Sequence, residues 1–464
     1  MRRIKTGHHL AKSLPWLIIA LAIVGLYGCG QDDYDPVKDS DHGAAYDPGK
    51  PVTITDFLPK SGGWGTRVVL YGENFGNDTS LLRLSIGGKP AKIINAKGNS
   101  LLFMVPRKAF NGDIQLSVLK PSGETSAQTT SNDKFDYVRQ VLVSTLCGKT
   151  YENNTKYDIK AGPFDDCGGF DRTLWFSFDP KDSDMLYCAG EKKAFRVFDF
   201  KNQYVDIFTT NIDNVSSVGF TLKGDMILAR DQASDQRTGL YMFTRESGFK
   251  TRYELCNGRG VKTVAVHPVN GRVYYTLYRK GEVWSVDPYN PEDNRKEVGL
   301  PRMGTGVLMV WHPTGNFCYL IMYERHTIWR SDYNPETGQM SMPYFICGKD
   351  NVRNWNDGVG PNVRLSKPWQ GFFLKNPSYK GSDDEYDFYF SDNGNHCVRT
   401  LSPLGKVHTY AGRADGGTRG YREGELRTQA QFNYPEGIVY DAKRKAIYVG
   451  DANNRVVRKI AQEE

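Results

Sequence analysis

The sequence predicts an all-β protein in which a β-sandwich is followed by a six-bladed β-propeller. A strand–turn–strand unit recurs after Val141, at first about every 42 to 46 residues and later about every 60 to 66, and a β-repeat of this period is typical of propeller blades. The last unit ends after its third strand, whereas an unassigned strand precedes the first unit. The 48 Gly, 27 Tyr and 23 Phe favour short strands joined by tight turns.

The N-terminal segment has the pattern of a bacterial lipoprotein signal. Four basic residues within the first twelve positions precede an apolar run from Leu14 to Leu26, which is too short to span a membrane. The run ends in Leu-Tyr-Gly-Cys, which resembles a lipobox. We therefore predict a signal peptide over residues 1–28 and lipidation of Cys29. The alternative is an ordinary secretory signal followed by a chance cysteine.

Residues 29–50 are predicted to form the lipidated cysteine and a flexible tether, because the segment is rich in Asp, Gly and Pro. The pair Asp32–Asp33 resembles the surface-export signal of lipoproteins in Gram-negative glycan-foraging bacteria. These resemblances imply an outer-membrane protein that faces the cell exterior and touches the membrane through its lipid anchor only. The formal charge of +7 includes four basic and no acidic residues in 1–28, so the remaining chain carries only +3. No nucleic-acid partner is expected.

Residues 51–138 have the pattern of one all-β domain. Ile114, Leu116 and Val118 alternate with polar residues, which indicates a strand with one buried face. The segment Gly72-Glu-Asn-Phe-Gly76, and the Val-Pro that follows the strand ending at Met104, resemble the motifs of an IPT/TIG domain, an immunoglobulin-like sandwich. The resemblance implies a spacer more than a ligand-binding module.

The propeller is predicted over residues 139–464. The repeated units are found at 175–188, 218–228, 264–275, 309–320, 371–390 and 437–449. The segment 140–147 leads into Cys147-Gly148 just as the fourth strands of two later units lead into Cys347-Gly348 and Ala411-Gly412. We therefore predict that 140–147 is the outer strand of the last blade, which would close the ring and remove its open edge.

Two strings in the last blades resemble NHL repeats. They are Asp392, Asn395, Val398, Arg399 and Asp451, Asn454, Val457, Arg458. The resemblance implies that Asp and Asn bond local backbone in a turn, rather than bind a ligand. The seven cysteines other than Cys29 show no metal-ligand spacing, and several lie inside apolar strands, which indicates buried thiols.

Three connections between predicted blades are long, namely 148–173, 348–368 and 412–435. Because the ring closes, they flank neighbouring blades and should form one patch on one face, the usual place for binding. Their aromatic, amide and charged side chains suit sugar rings. The predicted ligand-binding residues are Trp355, Tyr421, Tyr434, Tyr151, Tyr157, Asn356, Asp357, Arg419 and Arg422. The alternative is that these loops, with Phe432 and Pro435, merely pack on themselves.

No catalytic string is present, and neither a catalytic residue nor a cofactor nor a metal site is predicted. The order of domains resembles the accessory surface glycan-binding proteins of Gram-negative glycan-utilisation systems. The resemblance implies a lipoprotein that binds a polysaccharide or oligosaccharide, or docks on an outer-membrane glycan importer, without catalysis. The alternatives are a propeller glycan lyase or hydrolase and a protein–protein interaction scaffold.

Overall fold

The computed structural model describes residues 43–110, 112–151, 158–190, 195–209, 211–278, 280–300 and 306–463. Contacts divide the chain into two compact units, one ending at Tyr137 and one beginning at Val138. The helical segments of these residues are single 3-10 turns at Thr79–Leu81, Gly360–Asn362, Pro377–Tyr379, Asn393–Asn395, Asp415–Gly417 and Ala452–Asn454. No helix in the described ranges is long and apolar enough to cross a membrane.

The first unit is a sandwich of short antiparallel strands. Its strands are β1 Thr53–Leu58, β2 Ser61–Gly62, β3 Arg67–Glu73, β4 Leu82–Ile86, β5 Lys89–Ala96, β6 Ser100–Met104, β7 Ile114–Leu119, β8 Thr125–Thr130 and β9 Asp136–Tyr137. Seven of them pair in the order β1-β3-β6-β5-β4-β7-β8, and β2 pairs in parallel with β9. Ile114, Leu116 and Val118 all point into the core, as their alternation predicts.

The last eight residues of the predicted tether are held by this sandwich. The Asn74 side chain accepts a hydrogen bond from the Asp47 N–H at 2.8 Å and donates to the carbonyls of Asp47 and Lys50, each at 2.9 Å. Tyr46 is half-buried, and its hydroxyl lies 3.1 Å from Ser126 Oγ. Residues 43–50 therefore differ from the flexible chain that their composition predicts, while residues 29–42 lie outside the described ranges.

The second unit consists, over the residues described, of six antiparallel sheets that we call blades one to six. Its strands are β10 Val141–Gly148, β11 Gly162–Pro163, β12 Trp175–Asp179, β13 Asp182–Ala189, β14 Phe195–Asp199, β15 Tyr204–Phe208, β16 Val215–Phe220, β17 Met226–Arg230, β18 Thr238–Phe243, β19 Arg252–Asn257, β20 Ala265–Val266, β21 Val273–Leu277, β22 Glu282–Asp287, β23 Asn290–Gly299, β24 Val307–Trp311, β25 Phe317–Met322, β26 Thr327–Asn334, β27 Gln339–Met340, β28 Tyr344–Gly348, β29 Gly358–Val359, β30 Pro368–Lys375, β31 Tyr386–Asp392, β32 Cys397–Leu401, β33 Lys406–Gly412, β34 Gly424–Glu425, β35 Pro435–Asp441, β36 Ala446–Asp451 and β37 Val456–Gln462.

Each blade is built around four strands. Blade one is β12–β15, blade two β16–β19, blade three β20–β23, blade four β24, β25, β26 and β28, blade five β30–β33, and blade six β35, β36, β37 and β10. Three of the blades carry a fifth, two-residue strand from the connection that precedes them: β11 in blade one, β29 in blade five and β34 in blade six. These short strands cover outer edges that would otherwise be unpaired.

The ring closes through the two ends of the second unit. Val141 pairs with Gln462, Val143 with Ile460 and Gly148 with Val456, in antiparallel register. The predicted six-bladed closure by residues 140–147 is therefore confirmed. The incomplete repeat at the C-terminus is completed by a strand more than 300 positions earlier in the sequence.

Three outer strands end in a glycine, and the same steric constraint excludes a side chain at each of these positions. Gly148, Gly348 and Gly412 adopt φ of 100°, 108° and 92°, where a side chain is strained. A Cβ at these positions would lie 2.8, 2.3 and 2.7 Å from the carbonyl oxygens of Arg455, His326 and His396, respectively. The glycines thus let each outer strand lie against the turn that precedes the third strand of the same blade.

The closure supports a matched pair of variants. Val143 is 1% exposed and packs in the core of blades five and six, whereas Val141 on the same strand is 41% exposed. Val143→Asp should lower the free energy of unfolding of the propeller by about 3 kcal/mol or more, because a carboxylate would be buried without a partner. Denaturant unfolding measures the change. Val141→Asp should leave it within about 0.5 kcal/mol, and an equal loss in both variants would contradict the closure.

Candidate functional site

A cavity of about 570 Å³ opens at the inner ends of blades one to five. Its lining residues lie shortly before or at the start of the first strand of a blade, or shortly after its second strand. They are Arg172, Leu174, Asn214, Ser216, Asp231, Gln232, Ala233, Arg259, Gly260, Lys262, Tyr278, Leu308, Tyr323, Glu324 and Trp369. The start of a first strand and the end of a second strand lie at one end of an antiparallel pair. The cavity is therefore the mouth of the central channel, on the face to which the three long connections lead.

Aromatic rings form one wall of the cavity. Trp369, at the start of β30, is half-buried and donates its indole N–H to the Leu174 carbonyl at 2.9 Å. The Tyr323 ring packs against it with 4.7 Å between centroids. Burial, and the negative charges of Glu324 and Asp231, raise the pKa of Tyr323, so its hydroxyl stays protonated at neutral pH. A side chain on Gly306 would collide with that hydroxyl, so the glycine permits this placement.

Charged groups on the other walls are mostly paired. Lys262 forms an ion pair with Asp231, and Arg172 forms one with Glu436, which is almost fully buried behind the lining. The Glu324 carboxylate accepts the Gly306 N–H at 3.0 Å. Arg259 lines the cavity without an ion pair or hydrogen bond to any residue that the structure describes. The cavity therefore offers an aromatic surface, the Tyr323 phenol and the Arg259 guanidinium, a combination that suits a polar ligand with apolar ring faces.

The two aromatic residues predicted to bind ligand occupy equivalent positions on the outer edges of blades five and six. Trp355 precedes β29 and donates its indole N–H to Thr409 Oγ1 at 2.9 Å. Tyr421 precedes β34, and its hydroxyl lies 2.7 Å from Thr145 Oγ1. Trp355 is half-buried and Tyr421 is 45% exposed. Both lie on the rim of the propeller and not in the central cavity.

One face of each of these rings is covered by a guanidinium. Arg413 lies over Trp355 at 4.2 Å and Arg458 over Tyr421 at 4.9 Å from the ring centroids. Such contacts hold the ring in place. The role of this rim in binding stays a prediction.

Asp357, another predicted ligand residue, anchors its own loop. Its Oδ1 accepts hydrogen bonds from Arg399 Nη2 at 2.8 Å and from Thr409 Oγ1 at 3.0 Å. Glu423 takes the same place in blade six, where it accepts the Thr145 N–H at 2.8 Å. Both carboxylates are therefore engaged in joining a long connection to an outer strand.

The repeated Asp, Asn and Arg side chains form a buried clamp on the same connections. Arg399 and Asp392 are fully buried, with Nη1 2.8 Å from Oδ2. Asp392 also accepts the Ser366 N–H, and Asn395 donates to the Asn354 carbonyl, both at 2.8 Å. The NHL resemblance implies that Asp and Asn bond within their own turn. Of the hydrogen bonds that Asp392 and Asn395 form with each other, with Ser366 and with Asn354, only the Asn395–Asp392 bond does so. The partners are thus mainly the backbone of the connection that enters the blade.

Blade six repeats this clamp. Arg458 donates to Asp451 at 3.0 Å and to the Arg422 carbonyl at 2.8 Å, and Asn454 donates to the Gly420 carbonyl at 2.9 Å. The three residues equivalent to Asp392, Asn395 and Arg399 therefore hold the equivalent connection.

The remaining predicted ligand residues are spread over the long connections. Asn356 donates to the Asn362 carbonyl at 2.8 Å, and Arg422 pairs with Asp415 at 2.9 Å on the exposed surface. The Tyr434 ring packs edge-on against His396 at 4.6 Å. Tyr151 accepts the Asp158 N–H at 3.0 Å, and Arg419 is exposed. Tyr157 and Cys29 lie outside the described residues.

The predicted residues that the structure describes do not line the central cavity, and the cavity residues were missed by sequence reasoning. The available signal was their position: Arg172, Arg259 and Trp369 all stand where a blade's first strand begins or just before it. In the described ranges, no three His, Cys, Asp or Glu side chains are grouped as metal ligands. The seven cysteines from Cys147 onward are buried and unpaired, as their apolar surroundings predict.

Comparisons with known proteins agree with this architecture. Residues 51–137 match the IPT/TIG domain family. The chain is 46% identical to an auxiliary nutrient binding protein of Bacteroides thetaiotaomicron, with 90% of this chain and 100% of that chain covered and a TM-score of 0.87. It is 50% identical to an auxiliary nutrient binding protein of Bacteroides ovatus, covering 91% and 100%, with a TM-score of 0.71.

Two further proteins are similar. A Bacteroides thetaiotaomicron structure named as a candidate phosphatase is 32% identical, with 91% and 99% of the chains covered and a TM-score of 0.77. The curated protein SUPPRESSOR OF QUENCHING 1, chloroplastic, of Arabidopsis thaliana is 25% identical over 320 residues, 64% of this chain and 26% of that protein. The chain thus spans about a quarter of the length of that curated relative.

Two histidines at equivalent turns make the long connections sensitive to acid. His326 Nδ1 accepts the Lys367 N–H at 3.1 Å, and His396 Nδ1 accepts the Tyr434 N–H at 3.3 Å. Burial, followed by nearby positive charges, lowers the pKa of each imidazole from 6.5 to about 4. The unfolded chain therefore binds protons between pH 6.5 and 4 that the folded chain does not.

We expect the melting temperature to fall as the pH drops through this window. Thermal unfolding followed between pH 7 and 4 measures the fall. The fall in melting temperature should be smaller in the double variant H326N/H396N, because Asn does not titrate. Asn also tolerates the left-handed backbone of both sites. An unchanged pH dependence in the double variant would contradict the assignment.

Proposed function

The chain belongs to the family of the two Bacteroides auxiliary nutrient binding proteins, and on that premise we propose that it binds an oligosaccharide nutrient in its central cavity, without catalysis. The observation that carries the proposal is the Trp369–Tyr323 wall in a cavity that is also lined by polar and charged side chains. Sugar C–H faces pack on aromatic rings, while hydroxyl groups take hydrogen bonds from the other walls. The long connections on the same face give longer glycans a path towards the rim.

The cavity residues are suited to binding by their rigidity. Trp369 is fixed by its hydrogen bond to Leu174 and by Tyr323, so little conformational entropy is lost when a ligand packs on it. A volume of about 570 Å³ lies in the range of small-ligand sites. It suits a few sugar units, with the rest of a polysaccharide chain outside.

The location of the chain is part of the proposal. We propose that Cys29 is lipidated and holds the protein on the outer membrane, where it faces the exterior and works beside a glycan importer. The support is the lipobox-like end of the apolar N-terminal run and the acidic pair behind it. Cys29→Ser should move the protein from the membrane to the soluble fraction and abolish incorporation of labelled palmitate. Label retained by the variant would overturn the lipidation site.

Trp369→Ala tests the binding site. We expect it to lower the affinity for the glycan that binds by about tenfold or more, because one stacked ring contributes about 1 to 3 kcal/mol. Affinity electrophoresis of the full chain in gels containing a panel of polysaccharides selects the ligand. Titration calorimetry with its oligosaccharides then measures the affinity.

Two further variants locate the site. Tyr421→Ala tests the rim, and Tyr253→Ala removes a ring that is 50% exposed on the outer strand β19 and serves as the control. Loss of affinity in the rim variant alone would place binding at the long connections. Release of product from any retarded glycan would identify an enzyme. Absence of retardation by the whole panel, with an importer co-purifying, would identify an interaction scaffold instead.

A further inference from the structure

Arg259 is the charged group of the cavity that the fold leaves without a partner. Lys262 is paired with Asp231 and Arg172 with Glu436, whereas the described residues give the Arg259 guanidinium neither an ion pair nor a hydrogen bond. Resting on the proposed function, we infer that the oligosaccharide carries an anionic group, a carboxylate or a sulfate ester, which Arg259 binds. Arg259 is then the residue that separates acidic from neutral glycans.

The backbone around Arg259 is built to hold it in place. Gly260 adopts φ of 63° and donates its N–H to the Gln232 carbonyl at 2.8 Å. The Gln232 amide donates in turn to the Gly258 carbonyl, which ties its loop to this turn, and to the Ser234 and Arg237 carbonyls at 2.6 and 3.1 Å within the loop. A Cβ on Gly260 would lie 2.7 Å from the Tyr278 Cβ. The turn therefore packs closely on Tyr278, and Arg259 projects from a fixed backbone.

The chemistry of the free group selects an anion. A guanidinium presents paired N–H donors that match the two oxygens of a carboxylate or sulfate, and such charge-assisted bonds are stronger than those to a hydroxyl. An arginine that already has an internal carboxylate partner, like Arg172, gains less from a ligand anion. Because Arg172 and Lys262 are already paired with carboxylates, an anionic group of the ligand would bind to Arg259.

The positions of the other groups orient the ligand. Arg259 lies just before β20 of blade three, whereas Trp369 begins β30 of blade five and Glu324 follows β25 of blade four. The Glu324 carboxylate repels an anion from its side of the cavity. The ligand would thus place its acidic group at blade three and an uncharged sugar face on Trp369.

The test compares three oligosaccharides of similar length: oligogalacturonides with carboxylates, sulfated galacto-oligosaccharides, and neutral galacto-oligosaccharides. Titration calorimetry with the full chain should give binding of at least one acidic series. Arg259→Gln should weaken that binding about tenfold to a hundredfold, and leave any binding of the neutral series unchanged. Arg237→Gln, which removes an exposed arginine outside the lining, is the matched control.

Each outcome decides a different point. Preference for the carboxylate or the sulfate series identifies the source of the anion. Equal binding of neutral and acidic series, with no effect of Arg259→Gln, would overturn the inference and leave the proposed function intact. Failure of all three series and of the wider polysaccharide panel would overturn the proposed function itself. If Arg259→Gln does not fold, the wild-type affinity for the acidic series must still fall between 0.05 and 0.5 M NaCl, and a salt-independent affinity would reject the ion pair.

Discussion

The pairing of Val141–Gly148 with Val456–Gln462 is the constraint on which the propeller depends. Without it, blade six would have three strands and the ring would present an open edge. The first-strand ends of five blades line the cavity, so their spacing around the axis follows from closure. Because its lining comes from five blades, the geometry of this cavity depends on the whole closed ring and not on any single blade.

A second constraint is electrostatic and acts at the junctions between blades. Asp392 with Arg399 and Asp451 with Arg458 are ion pairs buried without water access, and burial is costly unless every donor and acceptor finds a partner. Here most of the remaining groups form hydrogen bonds to the backbone of the incoming long connections, whereas the Nε groups of Arg399 and Arg458 are buried without a hydrogen bond to a described residue. In blade one the equivalent Arg196 forms no ion pair with a carboxylate of the described residues and donates to the carbonyls of Lys160 and Gly169 at 2.6 and 3.0 Å. The shared element is therefore an arginine that organises a connection, with the carboxylate as an addition in blades five and six.

The architecture could be read from the sequence because its signals are local or periodic. The repeat spacing, the missing last strand and the motif ending in Cys147-Gly148 are all visible in one dimension. Residues 43–50 differ from the predicted flexible tether because Asn74, directly after β3, forms hydrogen bonds with Asp47 and Lys50. The composition of the segment does not indicate these long-range bonds. The cavity was harder to predict: Arg172, Arg259 and Trp369 lie near the starts of three different blades, and the repeat marks those positions without showing that their side chains line one cavity. Whether each of these arginines has an ion-pair partner also depends on the fold, because Glu436, the partner of Arg172, is distant in the sequence.

The rim and the cavity differ in how many of their polar side-chain groups already have hydrogen-bond partners within the protein. On the rim, the Trp355 N–H and the Tyr421 hydroxyl are bound to threonines, and Asp357 holds an arginine. Aromatic, amide and acidic side chains are thus also what attaches a long connection to a blade edge, and the predicted role of this rim in ligand binding stays a prediction. In the cavity, Trp369 also donates its N–H to the protein, whereas the Arg259 guanidinium has no hydrogen bond or ion pair to any residue within the described ranges. A residue type therefore points to a ligand site more strongly when its polar groups have no partner within the fold, and this is why we propose the central cavity as the binding site.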